Sequence, residues 1–548
     1  MQRFLTLLLA GFMMLAAYAA KKPQQAIVNL ISYDKSGEVL ASGYGFFISQ
    51  DGRVVVPYQL LEKAVRAEVI DTKGKRYEVA RVVGANSNYD LAVLTITAAK
   101  PKFEYFEIAA DSVAAGAKLT VYPYSAKKAK SLTIKVDSVA AYDTLCYYTT
   151  TVPNEQRFVG CPLLNEAGQV VAIVQQSASA ENVKTFAIDA RFVPTLRTTA
   201  MSSFSADLRR IRIPKLLPEG EQSAQSYILM LDAADSLCTA VAHADFMAAY
   251  PTSAEGYLNY AQFNMLYADY ESCEQSVAKA FEVAQRPDEV HYAFSKMLYQ
   301  MARSGVEYKD WTAHKSAAEA AAAYAVNPLP LYRMQEAHSY FLAGDFTAAL
   351  PCFDDICATE LVSPEAHYMV SKCLLLTGAD TVQAIARLDS AINTLVRPIQ
   401  RSQAYYVLER ANLYSEIGEF RKAVLDYNQY EGIMTPRALT DRFYALRAQV
   451  ELAARMYQQA LDDLQHAAVL SPNNAYYPQE QARVLLIVGY YDDAIAKAQV
   501  ALDMVPQNPE AYKLMGIAYR QKGDKQQAQQ CFSKAKELGD NSVDEYLK

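Results

Sequence analysis

The chain has 548 residues, 51% of them hydrophobic and 21% charged, with a formal net charge of −7. Such a length exceeds what one hydrophobic core serves, and the composition excludes wholesale disorder. The acidic balance supplies no broad basic field of the kind that gathers nucleic acid, so no nucleic-acid partner is expected.

In chain order, an apolar run from Phe4 to about Ala17 follows Met1-Gln2-Arg3 and ends in the small-x-small site Ala17-Tyr18-Ala19. This reads as a cleavable signal peptide over residues 1–19, which places the mature chain in the periplasm or outside the cell. The run is too short for a permanent span, and no cysteine lies near the cut to take a lipid. No stable membrane anchor is expected after cleavage; an uncleaved N-terminal anchor is the alternative. The eight cysteines are too few and too scattered for a disulfide framework, although Cys146 and Cys161 fall in one domain and could pair.

Between about Gln24 and Ala190, short apolar runs alternate with period two, as in Gln25–Ile31, Arg53–Val56 and Lys118–Val121. Residues 20–200 are therefore expected to form an all-β domain. Three of its segments point to a family. Gly43–Leu61 resembles the stretch of HtrA-like serine proteases that ends in the triad histidine, and Asn88–Leu94 resembles the strand of the triad aspartate. Arg157–Asn165 falls on the loop of the nucleophile. The resemblance implies a trypsin-like double β-barrel whose chemistry has been lost. At the matching positions the histidine is Gln59 and the serine is Val159, while Asp90 is retained.

That mechanism needs a hydroxyl or thiol to attack, an imidazole to take its proton and a carboxylate to orient the imidazole. Valine has no nucleophilic atom. Glutamine takes up no proton near neutral pH, and all six histidines of the chain lie at His243 or beyond. Arg157 stands where the resemblance places an oxyanion-hole glycine, with Gly160 kept just after the nucleophile position, so the oxyanion loop is expected to be degenerate as well. Cys161 is expected as a buried small residue.

Residues 201–225, with Arg209-Arg210-Ile211-Arg212 and Pro218-Glu219-Gly220, read as a linker or a short docking strand. From about Ser226 the period changes to 3.6, giving degenerate helical repeats over 226–328 and clear ones over 329–548. Gly523, Ala528, Phe532 and Ala535 recur 34 residues earlier as Gly489, Ala494, Ala498 and Ala501, and Tyr340, Gly344, Ala349 and Phe353 repeat the pattern. This period resembles the tetratricopeptide repeat. The expected fold is thus multidomain, an all-β trypsin-like double barrel followed by an all-α tetratricopeptide-repeat superhelix.

Such superhelices hold an extended peptide or a partner protein in a concave groove. Carrying the groove positions over selects Tyr405, Asn412, Tyr476, Arg483, Lys513 and Arg520, with Leu408, Gln449 and Ile517 beside them. Amides there suit peptide backbone, and cations suit a carboxylate. There is no phosphate loop and no metal-ligand spacing, so neither cofactor nor metal is expected. The chain reads as an exported, non-catalytic scaffold for protein or peptide partners. Two other readings stand beside it: an HtrA-like peptidase with displaced or substrate-supplied chemistry, and a barrel that merely caps the repeat array.

Overall fold

The computed structural model describes residues 22–125, 130–142, 144–177, 184–231 and 235–547. The signal peptide expected over residues 1–19 lies outside the described residues. The chain divides into two compact units between Gln285 and Arg286.

The first unit opens with two closed antiparallel barrels. Strands β1 (Ile27–Tyr33), β2 (Val39–Phe47), β3 (Val54–Val56), β4 (Arg66–Ile70), β5 (Arg76–Asn86) and β6 (Leu91–Ile96) close in the order β1-β2-β3-β6-β5-β4. Strands β7 (Lys118–Val121), β8 (Leu132–Tyr142), β9 (Leu145–Thr150), β10 (Pro162–Leu164), β11 (Val170–Val174) and β12 (Thr185–Asp189) close as β10-β11-β12-β9-β8-β7. Successive side chains of a strand point to opposite faces. In β3, Val54 and Val56 therefore fill the first barrel, while Val55 joins Phe46, Val93, Val170 and Ile188 in the layer between the barrels. A strand buried on both faces reads as a continuous apolar run, which explains Val54-Val55-Val56.

The segment read as a linker or a short docking strand is docked on the first barrel. Helix α1 (Ala206–Arg210) is capped by the Ser205 side chain, and Leu208, Ile211 and Ile213 enter the core of the first barrel. The Val82 N–H donates to the Pro214 carbonyl at 2.9 Å, and the Leu216 N–H returns to the Val82 carbonyl at 2.9 Å. Helices α2 (Glu221–Leu229), α3 (Ser236–Ala249), α4 (Ala254–Leu266) and α5 (Tyr270–Val283) complete the unit. Ala224, Tyr227 and Ile228 of α2 pack with Ala242 and Phe246 of α3. Arg81 of β5 grips Asp245 of α3 through two bonds of 2.6 and 2.7 Å. The division therefore falls well beyond the change of sequence period at 225/226, because a period reports a helix and not what the helix packs on.

The second unit is all-α. Its helices are α6 (Pro287–Arg303), α7 (Ala313–Val326), α8 (Pro330–Leu342), α9 (Phe346–Ile356), α10 (Pro364–Leu376), α11 (Thr381–Asn393), α12 (Ala404–Glu416) and α13 (Phe420–Ile433). They continue with α14 (Asp441–Ala453), α15 (Tyr457–Leu470), α16 (Tyr476–Val488), α17 (Tyr491–Met504), α18 (Pro509–Lys522), α19 (Lys525–Glu537) and the short α20 (Asp544–Leu547). From α6 to α19 consecutive helices pair, each even-numbered helix A with the following helix B, as repeats do. Ala349, Ala423, Ala460, Ala494 and Ala528 are at most 3% exposed and let A and B close on one another. At Gly516 there is no room for a side chain, since a Cβ there would come within 2.7 Å of the Phe532 ring.

Candidate functional site

In the first unit the segments matched to a triad come together: the Gln59 N–H reaches Asp90, and Gly160, next to Val159, packs against Pro57. Asp90 closes the turn from Ser87 into β6, in the left-handed region at φ +50°. Its Oδ1 accepts the Gln59 N–H at 2.9 Å, and the Tyr58 N–H is a second donor. Burial outweighs both bonds and pushes the carboxyl up to about 6. The Gln59 side chain is exposed and offers no ring for that carboxylate to orient. Gln175, just past β11, ties the Asp90 loop to the second barrel: its Nε2 donates to the Tyr89 carbonyl at 2.7 Å, and its Oε1 accepts the Tyr147 hydroxyl.

The loop around Val159 is wound into a 3-10 turn, Gln156–Phe158, held by Phe158, which is 2% exposed in the core of the second barrel. Winding it engages the backbone. The Val159 N–H donates to the Gln156 carbonyl at 3.2 Å, and the Cys161 N–H donates to the Phe158 carbonyl at 3.0 Å. An oxyanion hole requires N–H groups aimed at the substrate, and this one points back into its own turn. Gly160 is locked by space as well as by its φ of +79°, because a Cβ would lie 2.3 Å from the Tyr44 carbonyl oxygen and 2.9 Å from Pro57. Arg157 points outward to Glu155 at 2.7 Å. Cys161 is fully buried, its thiol pushed up to about 12 by burial, so it supplies no thiolate. Cys146 and Cys161 are both free.

In the second unit the selected side chains divide. The Tyr405 hydroxyl donates to Glu365 of α10 at 2.8 Å, and the Tyr476 hydroxyl accepts from Gln449 of α14 at 2.7 Å. Arg483 reaches Glu510 of α18 at 2.9 Å. These three bridge one A helix to the next. Lys513 pairs with Glu510 at 3.3 Å and with Asp540 at 3.8 Å. Asn412 is half-buried, and its Oδ1 accepts the hydroxyl of Tyr427 at 2.7 Å from helix B of its own pair. Arg520 lies over the ring of Tyr546 in α20, at 5.4 Å, and so belongs to the end of the array.

Sequence reasoning passed over two other kinds of residue. Leu446 on α14 and Ile487 on α16 are 43% and 52% exposed. Residues seven and eleven apart share a helix face, which groups Tyr476, Arg483 and Ile487. The second kind is arginine set between helices, Arg447 buried and Arg410 half-buried. Arg447 gives Nε and Nη2 to Asp463 at 2.7 and 2.8 Å, and Nη1 to Glu431 and Asn428 at 2.5 and 2.9 Å. Arg410 holds Asp426 through two bonds of 2.7 Å and Asp389 through a third of 2.7 Å. Beside Arg447 the Glu451 carboxyl is pushed up to about 8, by burial first and then by Asp463. The signal was present: Arg410 and Asp426, like Arg447 and Asp463, stand sixteen apart in successive repeats.

Among the described residues no group of three or more His, Cys, Asp or Glu is placed to hold a metal ion. Residues 43–173 match the family model of the trypsin-like peptidase domain. Among solved structures the chain is similar to the Rv3671c protease in an inactive form, at 22% identity and a TM-score of 0.26, over 32% of this chain and 88% of that one. A serine-to-alanine mutant of Rv3671c from M. tuberculosis H37Rv, also in an inactive form, is 22% identical with a TM-score of 0.27, over 32% and 85%. No curated protein matches the chain.

Proposed function

We propose that the chain is an exported, non-catalytic scaffold: a trypsin-like pseudoprotease joined to a tetratricopeptide-type array that holds a protein or peptide partner. One observation carries the first half, the Val159 N–H turned onto Gln156 in a loop that lacks a nucleophile and in a barrel that lacks histidine. Cys161 is no replacement, being buried and protonated. For the second half, Tyr476, Arg483 and Ile487 on one face of α16, with Leu446 from α14, give aromatic, cationic and apolar anchors together. A few such anchors dominate most interfaces. Export to the periplasm or beyond rests on the pattern of residues 1–19, and the reading involves no cofactor.

The test has two arms. The purified protein should neither react with a serine-directed phosphonate nor cleave unfolded casein. In capture from the native cell envelope, the triple variant Leu446→Ser, Tyr476→Ala, Arg483→Ala should bind its partner at least about tenfold more weakly, or about 1.4 kcal/mol, with a nearly unchanged melting temperature. Specific labelling of the barrels would overturn the first half. Undiminished capture by the triple variant would overturn the second.

A further inference from the structure

A cavity of about 440 Å³ lies on the first barrel and shares no lining residue with the loops of Asp90 and Val159. The turn between β4 and β5 brings Lys73 and Lys75 to its rim, the stretch after β6 brings Lys100 and Lys102, and the Tyr77 and Phe103 rings line it. Two carboxylates also line it, and both are engaged. Asp71 is used up by its own turn: Oδ1 accepts the N–H groups of Lys73 at 2.8 Å and Lys75 at 2.9 Å, and Oδ2 accepts the Tyr77 hydroxyl at 3.2 Å. Glu104 takes the Lys22 N–H at 3.4 Å.

Four lysines thus line one cavity with two carboxylates, in a chain whose net charge is −7. The Tyr77 ring face lies 4.9 Å from the Lys75 ammonium and offsets part of the crowding. Like charges gathered on rigid strand ends repel one another, and a polyvalent anion relieves that repulsion where monovalent counterions do so weakly. Lysine offers three rotatable donors on a compact charge, which suits phosphate oxygens without requiring one fixed geometry. We infer that this lysine-rimmed cavity binds phosphate, carried either by a lipid headgroup or by a soluble molecule.

The test uses the whole protein with two probes: inorganic pyrophosphate by calorimetry, and phosphatidylglycerol-containing vesicles by co-sedimentation against pure phosphatidylcholine vesicles. The variant Lys73→Ser, Lys75→Ser, Lys100→Ser, Lys102→Ser changes only exposed side chains, so its melting temperature should hold. Each lysine near an anionic surface contributes roughly fivefold in affinity, so the variant should lose at least about tenfold on a probe that the wild type binds. The double variant Lys100→Ser, Lys102→Ser, which leaves the Asp71 turn intact, should fall between. Loss on pyrophosphate alone assigns a soluble phosphate, loss on vesicles alone a headgroup, and loss on both a site open to either. Failure of the wild type to bind either probe, or equal binding by the fourfold variant, would overturn the inference.

Discussion

Restoring Gln59→His and Val159→Ser would return an imidazole beside Asp90 and a hydroxyl to the loop. It would not release the N–H at position 159, because the turn Gln156–Phe158 makes that bond with backbone atoms and the buried Phe158 ring holds the turn. One missing oxyanion donor costs about 10²–10³ in turnover. The double variant should therefore leave casein hydrolysis near background; robust turnover would show that the turn opens on substrate. Asp90 carries a second expectation. With its carboxyl raised from 3.8 to about 6 on folding, the folded chain binds the proton more tightly than the unfolded chain does. Stability from this group is thus full below the lower value and falls as pH rises through that window. Asp90→Asn keeps an oxygen for the Gln59 N–H and has no charge to bury. After discounting for partial exposure, it should gain about 1–2 kcal/mol at about pH 8 and nothing at about pH 4 in denaturant unfolding. An equal effect at both pH values would refute the assignment. The identities at 59, 90 and 159 were legible because residue type is read directly from the sequence. The direction of one N–H was not, since it depends on a ring buried in another part of the barrel.

At the scale of elements, what could be read from the sequence follows how many residues share the message. Strand alternation and the 34-residue helical period repeat often enough to be plain. Leu208, Ile211 and Ile213 are three apolar residues among arginines, too few for a period, so the sequence left linker and docking strand both open. Asn412 and Tyr405 sit on the same A helix, and only the fold brings the Tyr427 hydroxyl onto the Asn412 amide oxygen. The buried arginines are the elements' strongest polar contacts. Arg447→Met would leave Asp463, Glu431 and Asn428 without their shared donor, and breaking a buried pair from one side costs about 3–5 kcal/mol. A loss of that order is expected in chemical unfolding of the second unit. A loss below about 1 kcal/mol would mean that water takes the guanidinium's place.

For the whole molecule, the division at 285/286 says where the chain can be cut. A fragment of residues 22–285 keeps the Arg81–Asp245 grip and the packing of α2 on α3, whereas 22–225 loses both. The longer fragment should melt at least about 4 °C higher, the shift that one or two kcal/mol produces in a domain of this size. Equal melting would move the boundary back to the change of period. The second unit has a different kind of continuity. Stacked repeats normally open from their ends, each held only by its neighbour. Here Arg410 on α12 sews α11 to α13 through Asp389 and Asp426, and Arg447 on α14 sews α13 to α15 through Glu431 and Asp463. Helix α13 carries both seams, so α11 to α15 give way together or not at all. The corresponding positions in α16 and α18 are Gln481, which makes one neutral amide bond to Gln465 of α15 at 3.2 Å, and Met515, which carries no donor. From α16 on the stack is held by links such as Arg483–Glu510, one half-buried pair between neighbouring A helices, so hydrogen exchange should open α16–α20 before α11–α15.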